Sequence, residues 1–268
     1  MSRIMMLVGL FLLLHSASRG DGLIYQLPPD GSWVKFTGYG RHYGYERIPP
    51  PKAAGKDGAA DMPNEQYSGG ALIVQSVGTA EVDGEKCRWI EFKTEPPKEF
   101  TGDVEVWKML IPERYLKAGS DPFAHINKMY IKAGFVKDGI ERVDTDKKLL
   151  AYELERIRKW FPAVPKESKR QKDYVISLNG KDVKGESLSF DSYFEGKLHR
   201  GTAGFYSNRC HHHTLLDSKA PFGVAFYSVE GEAVERYEDE SGWKLKFREE
   251  FWLTDSGTGA KTTLTDHE

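Results

Sequence analysis

The segment Cys210-His211-His212-His213 carries the thiol and imidazole groups that zinc and copper prefer as ligands. If this segment is a β-strand, its side chains alternate, so His211 and His213 project from one face while Cys210 and His212 share the other. His211 and His213 are therefore predicted to be two ligands of a zinc or copper site. A complete site needs a further ligand, for which the sequence offers unplaced candidates: His42, His125, His199 or a carboxylate. The alternative interpretation is an exposed polar strand end.

Residues 1–20 have the three parts of a secretory signal peptide: a basic start at Arg3, an eleven-residue apolar run over Ile4–Leu14, and small residues after it. A membrane-spanning helix needs about 20 apolar residues, so this run is too short for a stable anchor. We expect cleavage after Ser18 or Gly20 and a soluble exported protein, either periplasmic or extracellular. The alternative is an N-terminal membrane tether that stays uncleaved.

The chain has two cysteines, Cys87 and Cys210. In an oxidising compartment an even pair most simply forms a disulfide, here from Cys87 to Cys210, which would join the early part of the chain to its later strands. Two buried free thiols are the main alternative. A catalytic role for Cys210 would need a histidine base from another element, and no sequence signature marks one.

The composition is that of an ordinary globular protein. The 268 residues include 39% hydrophobic residues, and 38 Lys and Arg stand against 40 Asp and Glu. These values exclude collagen-like, disordered and disulfide-scaffold classes. The near-neutral balance, with a formal net charge of −2, argues against nucleic acid as a partner.

One segment departs from this even charge distribution. Seven basic residues lie close together with a single acid among them: Arg156, Arg158, Lys159, Lys166, Lys169, Arg170 and Lys172. Such a run could contact an anionic lipid or polymer surface, but a solvated helix end followed by a loop explains it equally well. Both interpretations stay open from the sequence.

The first part of the mature chain predicts β-structure interrupted by a loop. Trp33–Phe36 has the pattern of a first strand, whereas Gly38–Gly70 is rich in Gly and Ala, contains Pro49–Pro51 and predicts a long irregular loop. Ala71–Thr94 carries apolar strand residues on both sides of Asp83-Gly84, a dipeptide that adopts the positive φ angles of a type I′ turn. We therefore predict a β-hairpin there.

Helical periodicity is strongest in the middle of the chain. A strand over Val104–Ile111 is followed by a predicted short helix over Glu113–Lys117. A long helix is predicted over Asp146–Trp160, because apolar residues recur there at helical spacing and Pro162 follows: Leu150, Leu154, Ile157 and Phe161. The remaining chain predicts short strands: Ser187–Phe194, Ala203–Ser207, Val224–Val229, Glu232–Tyr237 and Trp243–Thr254.

This order predicts one α+β domain over residues 21–268, with the irregular loop at 38–70. Several short motifs look like those of uncharacterised exported bacterial proteins: Gly31-Ser-Trp-Val-Lys-Phe, Ser76-Val-Gly, Asp83-Gly-Glu-Lys-Cys-Arg-Trp-Ile-Glu, Val106-Trp-Lys-Met-Leu and Pro221-Phe-Gly-Val. Their order resembles the lipoprotein-carrier (LolA/LolB-like) superfamily. The loop, the basic segment and the acidic final hairpin have no place in that family's pattern.

The resemblance implies a strongly curved antiparallel sheet, or half-barrel, with one long helix and short helices packed on the concave face. It also implies an apolar cavity that accepts acyl chains. The residues expected to line it are Ile73, Trp89, Trp107, Leu110 and Phe222. A filled core made of the same residues is the alternative, since aromatic and aliphatic strand residues are usually core.

Three functions follow from these observations. The first is an exported, non-enzymatic protein that binds an apolar ligand or a lipidated partner in the half-barrel, with no cofactor. The second is a secreted metal-assisted hydrolase that uses His211 and His213. The third is a structural or envelope interaction module without a cavity. No established catalytic motif is found in the sequence, which favours the first and third.

Overall fold

The structure is a computed structural model that describes residues 19–20, 23–49, 65–96, 104–132, 141–145, 150, 153–154, 157, 163–164, 168–178, 180–197 and 204–264. The predicted signal peptide lies outside the described residues except for its last two, Arg19–Gly20. Within the described ranges, no helix combines the length and the apolar character needed to cross a membrane.

The described residues fold almost entirely into antiparallel β-structure. Its strands are β1 (Arg19–Gly20), β2 (Trp33–Ile48), β3 (Glu65–Val82), β4 (Glu85–Glu95), β5 (Val106–Pro112), β6 (Lys128–Lys132), β7 (Glu141–Arg142), β8 (Ala163–Val164), β9 (Lys169–Leu178), β10 (Lys181–Lys197), β11 (Gly204–Leu216), β12 (Val224–Tyr237) and β13 (Gly242–Gly257).

Eleven of these strands form one sheet in the order β7-β6-β5-β4-β3-β2-β13-β12-β11-β10-β9, and β1 pairs separately with β8. The pairing of β2 with β13 places the first and last strands of the sheet side by side at its centre. Two runs of hairpins therefore extend outward, one built from the N-terminal part of the chain and one from the C-terminal part.

The expected α+β class, a half-barrel with one long helix and short helices on its concave face, is wrong. In the part of the chain that the structure describes, the sheet accounts for nearly all regular structure, and the short helices with described bounds are two 3₁₀ turns, Glu113–Tyr115 and Pro122–His125. Within the predicted helix Asp146–Trp160, Leu150, Glu153–Leu154 and Ile157 are helical, and the other positions lie outside the described residues. Among the described residues, most buried apolar side chains lie on long paired strands, and these strands continue through segments that the sequence predicted as loops.

The predicted hairpin is confirmed. Strands β3 and β4 pair with Val82 opposite Glu85, and the two turn residues Asp83 and Gly84 have φ angles of 53° and 77°. Both angles are positive, as a type I′ turn requires. The turn chemistry is local, so the sequence was sufficient to place it.

The irregular loop predicted at 38–70 is wrong at both of its ends, and its middle, residues 50–64, lies outside the described residues. Strand β2 continues to Ile48 and β3 begins at Glu65, with Gly38 opposite Gly70 and Tyr43 opposite Glu65.

Two strands predicted on either side of Gly231 are likewise one strand, β12. A Cβ at Gly231 would collide with the Arg209 carbonyl of β11, so this glycine serves close strand packing instead of a turn.

The sheet has two faces of different character. We call the face that carries Phe36, Phe92 and Tyr227 the inner face; it contains the large hydrophobic cluster, to which Leu23 and Ile24 from the N-terminal segment contribute. The opposite face, here the outer face, carries smaller clusters: Cys87, Trp89, Val106, Leu110, Tyr130 and Leu264 near one end, and Leu215, Ala225 and Phe226 near the other. Strand alternation assigns each residue to one of the two faces.

Part of the basic segment also belongs to the sheet. Lys169, Arg170 and Lys172 lie on the edge strand β9, not on a helix end or a loop, and the four preceding basic residues lie outside the described part of the chain: Arg156, Arg158, Lys159 and Lys166. Arg170 donates to the Tyr25 hydroxyl at 2.8 Å and to Glu186 at 3.0 Å. One member of the segment therefore fastens the N-terminal segment to the sheet.

Candidate functional site

A hollow of about 300 Å³ opens on the inner face where β2, β3, β4 and β13 meet. Glycines of β2 and β3, among them Gly38, Gly40 and Gly70, form its floor, and Leu72 and Phe251 form apolar walls. Because three positions of one small area lack side chains, the pleated surface is locally depressed. This depression is the candidate binding site.

The floor of the hollow requires glycine, because atoms of neighbouring residues approach it closely. A Cβ at Gly38 would collide with the carbonyl oxygen of Glu250 and with the ring of Phe251, and a Cβ at Gly70 would meet the carbonyl oxygen of Glu95 at 2.7 Å. Glycine in the interior of a strand often marks such a close approach of another group. The glycines that predicted a loop in the sequence therefore build the floor of the hollow.

The hollow combines its apolar walls with a few polar groups. Glu249 of β13 lies opposite Gly40, is only 6% exposed, and shares the lining with His42 and Thr94. Glu95 also lines the hollow, but its side chain accepts a hydrogen bond at 2.8 Å from Lys35, which lies on the outer face. Partial burial alone would raise the pKa of Glu95, but the hydrogen bonds and charges of the neighbouring lysines outweigh it and lower the pKa.

A buried polar network lies further along the inner face. The His212 ring is fully buried; its Nε2 lies 2.6 Å from Ser192 Oγ and its Nδ1 lies 2.9 Å from the Tyr227 hydroxyl. The Phe190 ring stacks on it at 4.8 Å. Burial, with a smaller effect from neighbouring His211, lowers the pKa of His212 to about 3, so the imidazole is neutral at physiological pH.

This network was missed by the sequence analysis, which treated His212 only as the neighbour of two candidate ligands. Burial also raises the pKa of Tyr227 well above its usual value, with smaller contributions from Cys210 and Glu249. The Tyr227 hydroxyl therefore stays protonated beside a neutral imidazole. Both ring nitrogens of His212 are occupied, so the arrangement orders this part of the inner face and does not leave a nitrogen for a metal.

The predicted metal ligands share a face, as strand alternation requires, but their contacts are with other partners. His211 Nδ1 lies 2.8 Å from Asp191 Oδ1, and the His213 ring packs edge-on against Tyr174 and Phe226 at 5.2 and 5.9 Å. Among the residues that the structure describes, no group of three or more His, Cys, Asp or Glu side chains could hold a metal ion.

The candidate third ligands lie elsewhere. His42 lines the inner hollow, on the face opposite to His211, while His125 stacks on Tyr115 with ring centroids 3.5 Å apart. His199 lies outside the described residues. The structure therefore brings neither His42 nor His125 to the pair.

The five residues expected to line one cavity lie on different faces. Trp107 and Phe222 belong to the inner cluster, Trp89 and Leu110 to the outer cluster, and Ile73 is partly buried on the outer face. The reason is the alternation of β4 and β5, which pair Trp89 with Leu110 and Phe92 with Trp107. These residues pack as core on both sides of the sheet, and the hollow is lined by others.

The predicted disulfide is absent, because Cys87 and Cys210 are both buried free thiols. Cys87 lies in the outer cluster and accepts a hydrogen bond from Asn127 Nδ2 at 3.4 Å, whereas Cys210 lies in the inner cluster. Burial raises the pKa of the Cys87 thiol. The two cysteines occupy opposite faces of one sheet, so the alternative of two buried free thiols describes this structure.

The chain was compared with known proteins. No protein-family model and no curated protein sequence matches it. Among solved structures it is similar to a protein of Bacteroides fragilis assigned to export and described as having a YmcC-like fold, with 8% identity, a TM-score of 0.24, and coverage of 88% of this chain and 99% of that one.

A second similar structure is a DUF1329-family protein from Desulfovibrio piger, with 8% identity, a TM-score of 0.27, and coverage of 87% of this chain and 88% of that one. At these TM-scores neither similarity carries an argument about the fold or the function of this chain.

Proposed function

We propose that this chain is an exported, non-enzymatic binding protein that holds an apolar ligand, or the lipid chain of a partner, in the glycine-floored hollow of the inner face. The observation that carries the proposal is the hollow itself, about 300 Å³ in volume and walled by Leu72 and Phe251. Ligand pockets typically measure about 300–1,000 Å³ and combine mainly apolar walls with a few placed polar groups.

The polar groups limit what the ligand can be. Glu249 is nearly buried within the lining, whereas the Glu95 carboxylate is paired with Lys35 and Lys93, which lie on the outer face. A nearly buried carboxylate such as that of Glu249 favours a hydrogen-bond donor or a cation and disfavours an anion. The ligand that fits has an apolar body and a neutral or cationic end. A free fatty-acid carboxylate is the end group that Glu249 disfavours.

Export is supported by the sequence of the N-terminal segment, with its basic start, short apolar run and small residues. Membrane-derived apolar molecules are available to a protein that follows this route. The choice between the periplasm and the exterior is open to direct measurement by fractionation of cells that express the full chain.

A neutral apolar fluorophore, N-phenyl-1-naphthylamine, tests the hollow. The wild-type protein is expected to enhance its fluorescence in a saturable manner. Thr94→Trp places an indole from β4 into the hollow and is expected to weaken this binding at least tenfold. The adjacent change Lys93→Trp puts the same indole on the outer face and serves as the matched control.

Native mass spectrometry of the exported protein gives the second measurement. A mass excess that disappears on denaturation and extracts into organic solvent is expected. If the fluorophore does not bind the folded wild type, or if Thr94→Trp and Lys93→Trp bind it equally well, the hollow is not a ligand site and the proposal fails.

Two expectations from the sequence stay predictions. Metal-assisted hydrolysis by His211 and His213 predicts a stoichiometric zinc or copper ion in the purified protein. Contact of the basic segment with an anionic surface predicts co-sedimentation with anionic vesicles, lost when Lys166, Lys169 and Arg170 are replaced by Ser. The contacts of Arg170 with Tyr25 and Glu186 support a structural role for that residue.

A further inference from the structure

The last described residues of the chain cross the outer face of the sheet over β3, β4 and β5. We call residues 261–264 the terminal segment. Leu264 is 2% exposed and packs in the outer cluster with Trp89, Val106, Leu110 and Tyr130. The sheet thus provides an apolar pocket for one leucine, and the segment fills it.

A fully buried carboxylate holds the middle of the terminal segment. Glu91 of β4 is 0% exposed and accepts hydrogen bonds from Thr262 Oγ1 at 2.8 Å and from the Thr263 backbone N–H at 3.1 Å to each oxygen. Gln75 Nε2 donates to the same carboxylate at 2.6 Å. A buried charge is costly without such partners, and two of its three donors belong to the segment.

The backbone carbonyls of the segment are also bound by side chains. Gln75 Nε2 donates to the Lys261 carbonyl at 3.3 Å, and Lys108 Nζ donates to the Leu264 carbonyl at 3.4 Å while lying 4.8 Å from the centre of the Trp89 ring. Lys108 is 3% exposed. Three polar side chains and one pocket therefore recognise a hydroxyl at one position and a leucine two positions later, so this contact depends on sequence.

The connection between β13 and the terminal segment allows the segment to detach from the outer face without unfolding a strand. Gly259 has a φ of 82°, a Cβ added to it would meet no other atom within 4 Å, and Ala260 donates its backbone N–H to the Gly31 carbonyl at 2.9 Å. The sheet ladder of β13 ends at Gly257. Only a short non-ladder connection therefore separates the sheet from the terminal segment.

We propose that the groove formed by Gln75, Glu91, Lys108 and Trp89 is a peptide-binding site for an extended Thr-Thr-Leu segment, and that a second copy of this chain supplies that segment by exchange. Each copy carries both the groove and the sequence that fits it, and exchange of an identical element is a low-cost route to a dimer. At low protein concentration the tethered segment occupies its own groove, because tethering gives it a high effective concentration.

A fluorescent peptide with the sequence of residues 258–264 tests the groove. It is added to the full chain carrying Leu264→Asp, whose own segment no longer fits the apolar pocket. We expect saturable binding, weakened at least tenfold when Glu91→Gln is added to the same chain or when the peptide carries Val at the position of Thr262. Absence of binding by the folded Leu264→Asp protein overturns the peptide site.

A mixture of two full-length variants tests the exchange. Glu91→Gln keeps the segment and weakens the groove, whereas Leu264→Asp keeps the groove and weakens the segment. Sedimentation velocity should show a 1:1 heterodimer in the mixture, dispersed by excess peptide, and monomers for each variant alone. If the mixture stays monomeric at ten times the Kd measured for the peptide, the second-copy assignment is wrong. Thermal unfolding of both variants confirms that they are folded.

Discussion

The outer face of the sheet is covered at one end and open at the other. Over β4 and β5 the terminal segment buries Trp89, Glu91 and Lys108, which are 5%, 0% and 3% exposed. Over β10 to β13 a polar groove of about 370 Å³ stays open, with Ser189 and His211 in its lining. Alternation puts residues of both groups on the same face, so burial of charge depends on where a non-strand segment lies.

The type of a polar residue on a strand therefore does not indicate whether its side chain is buried. Glu91 and Lys108 have the residue types of an exposed face but are enclosed, with hydrogen bonds to the segment that covers them. His211 pairs with Asp191 at 2.8 Å while its side chain stays 52% exposed. Loss of a hydrogen-bond partner should cost more for Glu91 or Lys108 than for His211, because a buried charge without its partner is not solvated, whereas solvent screens an exposed pair.

The largest effect is expected at the covered end. Trp89→Ala removes an indole from the outer cluster and should lower the free energy of unfolding by about 3–5 kcal/mol, as measured by urea denaturation. Phe205→Ala on β11, where the side chain is 63% exposed, is the control and should change it by less than about 0.5 kcal/mol. A small loss at Trp89 with weaker fluorophore binding would identify Trp89 as a cavity wall instead.

A change of pH is expected to have an intermediate effect on the free energy of unfolding. It acts on His212 of the inner-face network, which lies behind the open groove. The pKa of His212 is about 3 in the folded protein against 6.5 in the unfolded chain, so the unfolded chain binds a proton first. Stability contributed by neutral His212 is complete above pH 6.5 and is lost as pH falls towards 3. Between pH 6 and 5 the titration of this histidine should lower the free energy of unfolding by about 1.2 kcal/mol, because the unfolded chain is only partly protonated at pH 6.

His212→Asn isolates that contribution. Burial also lowers the pKa of His213, so part of the slope has the same sign and remains in the variant. The slope of unfolding free energy between pH 6 and 5 should nevertheless be smaller in His212→Asn than in the wild type. An unchanged slope would mean that His212 is not buried as a neutral ring. His211→Asn, on the exposed side of the same strand, serves as the control.

The smallest effect is expected at the open end. His211→Ala removes an exposed pair with Asp191 and should change the free energy of unfolding by less than about 0.5 kcal/mol. Added zinc should shift the melting temperature of the wild type and of His211→Ala equally if the pair holds no metal. A zinc-dependent stabilisation that disappears in His211→Ala would restore the metal interpretation.

The sequence predicted those parts of the fold that depend on neighbouring residues. The type I′ turn at Asp83-Gly84 was confirmed because two positive φ angles suffice to define it. The strand predicted at Val104–Ile111 corresponds to β5, with its start shifted to Val106 and its end to Pro112. On the outer face, away from the candidate site, alternation correctly placed His211 and His213 together, since the segment is a strand.

The predictions that failed were those that depend on which residues of a neighbouring strand lie opposite. Gly38 and Gly70 read as loop residues, yet each is required by the approach of a carbonyl or ring from a neighbouring strand. The disulfide prediction failed because Cys87 and Cys210 point from opposite faces, which a sequence without a register cannot reveal. The sequence did not predict the hollow for the same reason, since its floor consists of glycines that lie on adjacent strands.

The amino-acid sequence was sufficient to predict the alternation of side chains along the strands, the position of one hairpin turn and the export signal, because each depends on contacts or patterns within a few residues. From the export signal we propose the route of the protein. Only the tertiary structure decided which face of the sheet is covered. It joined β2 to β13, depressed the inner face at Gly38 and Gly70, and enclosed Glu91 under the terminal segment. These outcomes depend on contacts between residues far apart in the chain, such as Thr254 and Lys35, which are 219 positions apart, and register across strands fixes them.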